Sequence, residues 1–188
     1  MEKIPGRTEI LNLDCPGGKY YFYAKRWQPI IKIWMDYFNI HGKVLGIGQK
    51  EDYDEENKAV MKHYPAITEM YSVDFDPTTK GIVWDICKPY SGRHNWVDFI
   101  ICNAVLEHVI DPFGAIRNLR DVLVCDGLLL IYTVGPGAPY HAYPIDCYRF
   151  FRDVFIEYSK ELNLKIEDMV FEGALCGVVY RRKCPGKY

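Results

Sequence analysis

Residues 97–101, with the sequence VDFII, constrain the fold of this chain more than any other segment. A run that is this short, apolar and rich in β-branched residues is typical of a strand covered on both faces. The chain then becomes small and polar at residues 102–104, and a helix start follows at Asp111 and Pro112. Ligands bind α/β folds where a buried parallel strand opens into such a loop. We therefore predict that this loop forms one wall of an active site.

The rest of the pattern alternates between strand and helix spacing. Strands are predicted at residues 43–48, 70–73, 82–84, 97–101, 128–134, 165–171 and 175–181, and helices at residues 25–38, 55–63, 112–123 and 146–162. Asp111 is expected to cap one helix, with Pro112 in its first turn, and Asp146 can cap the last. Alternation that ends in a hairpin predicts a doubly wound α/β domain with a mostly parallel sheet and one antiparallel strand.

Length and composition favour one globular domain and argue against a general nucleic-acid binder. The chain has 188 residues, 49% hydrophobic and 26% charged, with a net charge of −2. We expect a single domain over residues 1–188, with an N-terminal segment and helix over 1–40 and a core over 41–188. The lack of a basic face argues against nucleic acid as a partner. Without an apolar signal core or a run long enough for a membrane span, we expect a cytoplasmic protein.

Seven cysteines are spread through the chain, and no two of them have the spacing of a CxxC or similar metal-binding motif. Cysteines in such a protein are expected to be reduced and to pack as small hydrophobic residues. The sequence spacing therefore predicts neither a disulfide framework nor a metal site.

Polar residues stand where the predicted parallel strands end. Asp74, Asp85 and Asn103 follow three of the first four strands, and the first strand runs into Gly46-x-Gly48. A carboxylate after the second strand can accept hydrogen bonds from both ribose hydroxyls, so the pattern predicts a nucleoside cofactor. A dinucleotide needs a third glycine for its pyrophosphate, and here acidic residues follow instead. Electrostatics therefore favour S-adenosylmethionine, which carries no phosphate, over NAD or FAD.

The chain resembles the class I S-adenosylmethionine-dependent methyltransferases, in particular a group of small domains with a VLEHV motif. The matching segments are residues 43–48, 71–77, 83–86, 97–112, 121–130 and 141–150. The most specific match is VLEHV at residues 105–109, followed by Asp111 and Pro112. The resemblance implies a Rossmann-like methyltransferase fold with a seven-stranded sheet, and an enzyme that uses S-adenosylmethionine.

The resemblance also implies which residues hold the cofactor. They are Gly46 and Gly48 beside the methionine part, Asp74 on the ribose hydroxyls, Phe75 and the Ile86 backbone beside adenine, Asp85 on the adenine amino group, and Asn103 and Leu106 bordering the adenosyl group and sulfonium.

A second motif, H-x-x-P-x-D-x-x-R, begins at His141. Relatives with a similar run are loosely associated with sugar and polysaccharide metabolism. His141 and His108 are candidate bases, and Tyr140, Asp146 and Arg149 are candidate substrate-binding residues. Alternatively, Asp146 is a helix cap paired with Arg149, and His108 is only packed. The predicted function is O- or N-methylation of a small molecule or of a sugar or polysaccharide precursor.

Two other functions remain open at this level. Methyltransferases of this family usually have an acid where Gly46 stands, and more glycine where Gln49 and Lys50 stand. These differences leave open a catalytically inactive, methyltransferase-like protein that binds or scaffolds. An NAD-type oxidoreductase is a third hypothesis, which the missing third glycine disfavours.

Overall fold

The computed structural model describes residues 29–49, 54–142 and 144–186. The predicted N-terminal segment and the predicted helical residues 25–28 lie outside these ranges, as do residues 50–53 of the glycine turn and its acidic continuation. None of the described helices is long and apolar enough to cross a membrane.

Helices and strands alternate as the sequence pattern predicts. The helices are α1 (Pro29–Tyr37), α2 (Asp54–His63), α3 (Pro112–Val122) and α4 (Arg152–Glu161), and a 3₁₀ turn covers Leu106–His108. The strands are β1 (Gly42–Ile47), β2 (Ile67–Asp74), β3 (Ile82–Val83), β4 (Val97–Asn103), β5 (Leu123–Val134), β6 (Leu164–Glu172) and β7 (Leu175–Arg182).

The strands form a seven-stranded sheet in the order β3-β2-β1-β4-β5-β7-β6. Strands β1 to β5 pair in parallel, whereas β7 runs antiparallel to both of its neighbours, β5 and β6. The prediction of a doubly wound, mostly parallel sheet with one antiparallel strand is confirmed. The order also reverses direction between β1 and β4, which is where open α/β sheets bind their ligands.

Alternating residues of the central strands point into two separate cores. In β4, Phe99 and Ile101 pack on the face that carries α1, which contributes the fully buried Trp34. Ile100 and Cys102 pack on the opposite face, against residues of α3 and α4. Both faces of the central strands are thus covered, which explains why their sequences are almost continuously apolar.

The start of α3 follows the local signals in the sequence. The Asp111 side chain accepts a hydrogen bond from the Gly114 N–H at 2.9 Å, and Pro112 occupies the first helical position. This cap fixes where the chain leaves the loop after β4, and it confirms the predicted helix start.

The starts of two elements differ most from the prediction. Strand β5 begins at Leu123 rather than at residue 128, because Leu123 pairs with Val97 of β4 ahead of an irregularity in the register, where Asp126 has a φ of 63°. Helix α4 begins at Arg152, so the prediction that Asp146 caps this helix is wrong. Residues 144–151 are irregular, and the Asp146 carboxylate accepts hydrogen bonds from His141 and Arg149 within this loop.

The expectation that all the cysteines are reduced is also wrong, because Cys125 and Cys184 form a disulfide. Leu128 pairs with Arg181 in the antiparallel β5–β7 ladder. Continuing this register past the end of the pairing brings Cys125 opposite Cys184, with their Cα atoms 5.3 Å apart. The pairing depends on strand register, which cysteine spacing in the sequence does not reveal.

Register places the carboxyl ends of the parallel strands side by side. Ile47 of β1 is level with Val73 of β2 and with Cys102 of β4, and Asn103 of β4 is level with Tyr132 of β5. The polar residues predicted from the strand ends therefore share one edge of the sheet.

Candidate functional site

The turn after β1 brings the backbone close to the loop after β4. Gly48 has a φ of +77°, and a Cβ atom there would lie 2.5 Å from Cγ2 of Val105. The Gly48 and Gln49 N–H groups both donate to the Val73 carbonyl at 2.9 Å. Only glycine meets both the backbone and the steric requirement at residue 48, so this predicted site residue has a clear structural reason.

The side chain of Gln49 packs beside Gly46, a contact that the sequence did not predict. A Cβ atom built on Gly46 would lie 2.1 Å from Gln49 Nε2, so the carboxamide fills the space beside Gly46. The carboxamide oxygen accepts from the Ser72 hydroxyl at 2.9 Å, and the Asn57 amide in turn donates to that hydroxyl at 3.1 Å. Gln49 Nε2 is buried and finds no hydrogen-bond partner within the described ranges.

Asp74 and Asp85 lie at the ends of adjacent strands. Asp74 is level with Val83, and the Trp84 N–H donates to the Asp74 carbonyl at 2.8 Å. The Asp74 carboxylate is buried and accepts from the Asp76 N–H at 2.9 Å. The Asp85 carboxylate accepts from the Cys87 N–H at 3.0 Å and lies 3.2 Å from the Lys88 ammonium. Both carboxylates are thus held by the turns that follow their strands.

The residues predicted to surround adenine occupy different environments. Phe75 is 61% exposed, so its ring is available to a ligand. The Ile86 carbonyl accepts from the buried Asn118 amide of α3 at 2.9 Å, which fixes this loop. Leu106 is fully buried and packs in the core. Its position beside the cofactor stays a prediction of the family resemblance.

The chain turns sharply after Asn103, at the end of β4. Ala104 has a φ of +53°, and its N–H donates to the Tyr132 carbonyl of β5 at 2.9 Å. A left-handed alanine costs about 1–2 kcal/mol relative to a helical or extended one, so the surrounding contacts hold this turn in place. The turn sends Glu107 and His108 towards the end of β5.

Glu107, His108 and His141 form a cluster at this edge of the sheet. Glu107 is fully buried, and its Oε2 accepts from the Thr133 hydroxyl of β5 at 2.6 Å. Its other oxygen, Oε1, finds no hydrogen-bond partner in the described part of the chain and lies 3.9 Å from Nε2 of each histidine. The two imidazole rings meet edge to face, with their centroids 5.1 Å apart. The structure thus brings both predicted candidate bases together around a buried carboxylate.

Asp146 and Arg149 organise the loop that carries His141. The guanidinium donates to both carboxylate oxygens at 2.5 and 2.6 Å, and to the carbonyls of Ala138, Pro139 and Tyr148. These bonds use all five N–H groups of Arg149, which argues against its predicted role in substrate binding. Asp146 also accepts from the His141 N–H at 2.7 Å, so this pair positions the loop.

The charges in the loop are strongly stabilised. Hydrogen bonds from Arg149 hold the pKa of the Asp146 carboxyl well below its usual range. The same interaction raises the pKa of Arg149. Both groups therefore stay ionised across the physiological pH range, and neither is suited to take up or release a proton there. Tyr140, the remaining predicted substrate-binding residue, is 77% exposed on this loop.

Two thiols close to Glu107 are poor nucleophiles. Burial raises the pKa of Cys102 and of Cys176 well above the usual range, and the negative charge of Glu107 adds to the effect. Because the thiolate is the reactive form, both cysteines act as packing residues.

Comparisons with solved structures identify the architecture. The methyltransferase from Burkholderia thailandensis that methylates N1 of 1,6-didemethyltoxoflavin, solved with S-adenosylhomocysteine, matches with a TM-score of 0.63 and 14% identity over 87% of this chain and 80% of that one. An S-adenosylmethionine-dependent methyltransferase from Archaeoglobus fulgidus matches with a TM-score of 0.59 and 13% identity over 81% of this chain and 91% of that one. The fold is that of the S-adenosylmethionine-dependent methyltransferases.

Sequence comparisons add nothing to this match, since no protein-family model and no curated protein matches the chain. The CurJ carbon methyltransferase also has the methyltransferase fold, with a TM-score of 0.60 and 14% identity over 83% of this chain. This chain spans about half of that longer one, 53% of its length.

Two contributors to the site, Thr133 and Asn118, were not predicted from the sequence. Each places a polar group against the loops described above, as does Gln49, which the sequence marked only as a departure from the family pattern. Each is an ordinary polar residue in its segment, and only the folded chain reveals its partner. Glu107 had a signal, since it is an acid set among apolar residues directly after a buried strand.

Proposed function

We propose that this protein is an S-adenosylmethionine-dependent methyltransferase that acts on an oxygen or nitrogen of a small molecule or of a sugar or polysaccharide precursor. The observation that carries the proposal is the pair of carboxylates, Asp74 and Asp85, at adjacent strand ends of a methyltransferase fold. They lie on the same sheet edge as the Gly48 turn, which matches the distribution of hydroxyl and amino groups along an adenosyl ligand.

The residues present fit this cofactor. Gly48 allows the backbone to come close to a ligand, Asp74 offers a buried carboxylate to vicinal hydroxyls, and the exposed ring of Phe75 can cover an adenine face. The buried and unpartnered Gln49 Nε2 offers a donor beside the glycine turn, where a ligand carboxylate would be complementary. S-Adenosylmethionine, when bound, supplies a methyl group on a positively charged sulfur.

The protein's own contribution is to position the acceptor and to exclude water. Transfer of a methyl group is an in-line displacement, in which alignment of the reacting atoms supplies most of the acceleration. His108 and His141 each direct Nδ1 at a backbone carbonyl, of Ile145 and Pro139 respectively. Their Nε2 atoms are therefore the proton acceptors, and either could take the proton of a substrate hydroxyl.

Binding of the cofactor is the first test. Calorimetry should show one S-adenosylhomocysteine bound per wild-type chain. Asp74→Asn keeps an acceptor for the Asp76 N–H but removes the charge that faces the ribose. Since hydrogen bonds to charged groups contribute about 1.5–3 kcal/mol, affinity should fall at least about tenfold. Glu157→Ala, an exposed change on α4, should leave the affinity unchanged. No binding to the wild type at millimolar ligand would refute the proposal.

A catalytically inactive binding protein is the second candidate, and the position of Gln49 favours it. The carboxamide occupies space beside Gly46, next to the turn that would hold the methionine end of the cofactor. Under this hypothesis, the protein binds S-adenosylhomocysteine weakly or not at all, and Asp74→Asn changes neither partner binding nor stability. Loss of both cofactor binding and product formation in Asp74→Asn would exclude it.

A further inference from the structure

We infer that Glu107, His108 and His141 form a binding site for a divalent transition-metal ion. Their potential ligand atoms, one carboxylate oxygen and two imidazole nitrogens, all lie within 4.8 Å of one another. Two histidines and one carboxylate are a ligand set that zinc, iron and related ions use when further positions stay open to water or substrate. Glu107 and His108 are consecutive residues, whereas His141 comes from the loop after β5.

The hydrogen bonds around the cluster leave three lone-pair acceptors beside one another, one of them on a buried carboxylate. The Nδ1 atoms of His108 and His141 contact the carbonyls of Ile145 and Pro139, and a carbonyl can only accept. In a neutral imidazole the other nitrogen is then an acceptor. Both Nε2 atoms, each 3.9 Å from Glu107 Oε1, are then lone-pair acceptors. A metal ion would neutralise the carboxylate and accept electron density from all three atoms.

Burial makes Glu107 a strong independent indication of a ligand. Glu107 is fully buried, and its Oε1 atom lacks a hydrogen-bond partner among the described residues. A buried carboxylate oxygen left in this state costs free energy unless something binds it. The second oxygen is fixed by the Thr133 hydroxyl at 2.6 Å, so the free one keeps its direction towards the histidines.

The hydrogen bonds that hold the three side chains resemble those that orient metal ligands in known sites. Metal-bound histidines usually donate their second ring N–H to a carbonyl or carboxylate, and bound carboxylates are themselves hydrogen-bonded. Here both imidazoles and Glu107 have such a contact. The Asp146 carboxylate also accepts from the His141 N–H, which fixes the backbone of that ligand.

The three ligand atoms would have to move only slightly closer together to bind an ion. Metal–ligand distances of about 2.0–2.1 Å place neighbouring ligand atoms about 3.0–3.4 Å apart. The two Oε1–Nε2 distances are 3.9 Å, so ring rotations of both histidines would complete the site. The side chain of His141 is 43% exposed, so part of its ring faces solvent and has room to rotate on that side. Mixed nitrogen and oxygen ligands favour transition metals over magnesium or calcium, which prefer oxygen alone.

The role of such an ion in catalysis rests on the proposed function. Bound beside the acceptor, it would coordinate a substrate hydroxyl and promote release of its proton to water. The oxygen would then form a bond to the methyl group as the sulfur–methyl bond breaks, and that electron pair would stay on sulfur as a neutral thioether. With the ion bound, the Nε2 lone pairs of His108 and His141 would be occupied, so water would accept the proton in place of the histidines named under the proposed function.

Metal titration of the untagged full chain tests the inference without cofactor or substrate. After treatment with a chelator and desalting, Co²⁺ is added and followed by calorimetry and by visible absorption. We expect one Co²⁺ per chain with nitrogen and oxygen ligation, displaced by Zn²⁺. Affinity should fall at least about tenfold in Glu107→Gln, His108→Ala and His141→Ala, and should not change in His94→Ala, a histidine exposed elsewhere.

Folding of each variant is checked by circular dichroism. Because Glu107 is buried, His141→Ala separates loss of the metal from loss of the fold. Absence of Co²⁺ and Zn²⁺ binding to the wild type at millimolar metal would overturn the inference, as would equal affinity in the wild type and a folded His141→Ala. Since no S-adenosylhomocysteine is present, these results are independent of whether the proposed methyltransferase function holds.

Discussion

Replacing Gly46 with alanine places a methyl group where the Gln49 carboxamide lies. The new Cβ would be 2.1 Å from Nε2 and 2.4 Å from the carboxamide carbon of Gln49, so the glutamine has to move. Gln49 is buried, and moving it breaks the bond from the Ser72 hydroxyl. Overpacking typically costs about 1–3 kcal/mol and a lost hydrogen bond about 1 kcal/mol. We expect Gly46→Ala to lower the free energy of unfolding by about 2–4 kcal/mol.

Removing the glutamine should reverse the sign of this effect. Gly46 pairs in regular strand register with Ser72 and Ile101, a conformation that alanine adopts freely. In a Gln49→Ala background, Gly46→Ala should therefore stabilise the protein by about 0.4–1 kcal/mol, because alanine has less freedom in the unfolded chain. The two substitutions should be coupled by about 3 kcal/mol, at the upper end of values for residues in contact.

Urea unfolding of the wild type, both single variants and the double variant measures this coupling. Midpoints should shift while the dependence on urea concentration stays constant, which shows that only stability has changed. Equal destabilisation by Gly46→Ala in both backgrounds would refute the reasoning, because the clash would then involve something other than Gln49. Gly135→Ala is a poor control, since its Cβ would meet backbone at 2.9 Å.

Three further predictions concern the supporting structure. The depressed pKa of Asp146 means that its charged form stabilises the fold above about pH 4. The stability lost in Asp146→Asn should therefore be constant near neutral pH and shrink as the pH falls below about 4 in urea unfolding; a loss independent of pH would contradict this. Asp168→Ala removes the acceptor 2.7 Å from the buried Trp34 indole N–H and should cost about 1–3 kcal/mol in the same assay, whereas Asp168→Asn should cost less. Reducing the Cys125–Cys184 bond, which spans 59 residues, should lower the free energy of unfolding by about 2–4 kcal/mol and expose two titratable thiols; an unchanged thiol count would disprove the bond.

Local patterns were sufficient for most of the fold. The run at residues 97–101 is a buried strand whose residues pack into the cores on both faces of the sheet. Packing on both faces requires apolar residues, which is why the composition of the run predicts the strand. The N-cap Asp111, followed by Pro112, predicted the first residue of the helix correctly. Such signals act over a few neighbouring residues, so a sequence displays them directly.

Competing tertiary contacts explain where the predictions failed. Asp146 had the residue type of a helix cap, but the guanidinium of Arg149 binds its carboxylate and holds the segment as a loop. Strand β5 was predicted to begin at residue 128, but it begins at Leu123, which pairs with Val97 of β4. In both cases contacts with other segments decided the outcome against the local pattern.

By itself, the sequence determined the alternation of strands and helices, the buried strand at residues 97–101 and the polar residues that end the parallel strands. These follow from periodicity, capping and turn chemistry, which are local. Only the tertiary structure decided that Gln49 lies over Gly46 and that His141 joins Glu107 and His108. These contacts join residues that are distant in the sequence or depend on side-chain direction, and the register of the sheet and the path of the loop after β5 fix them.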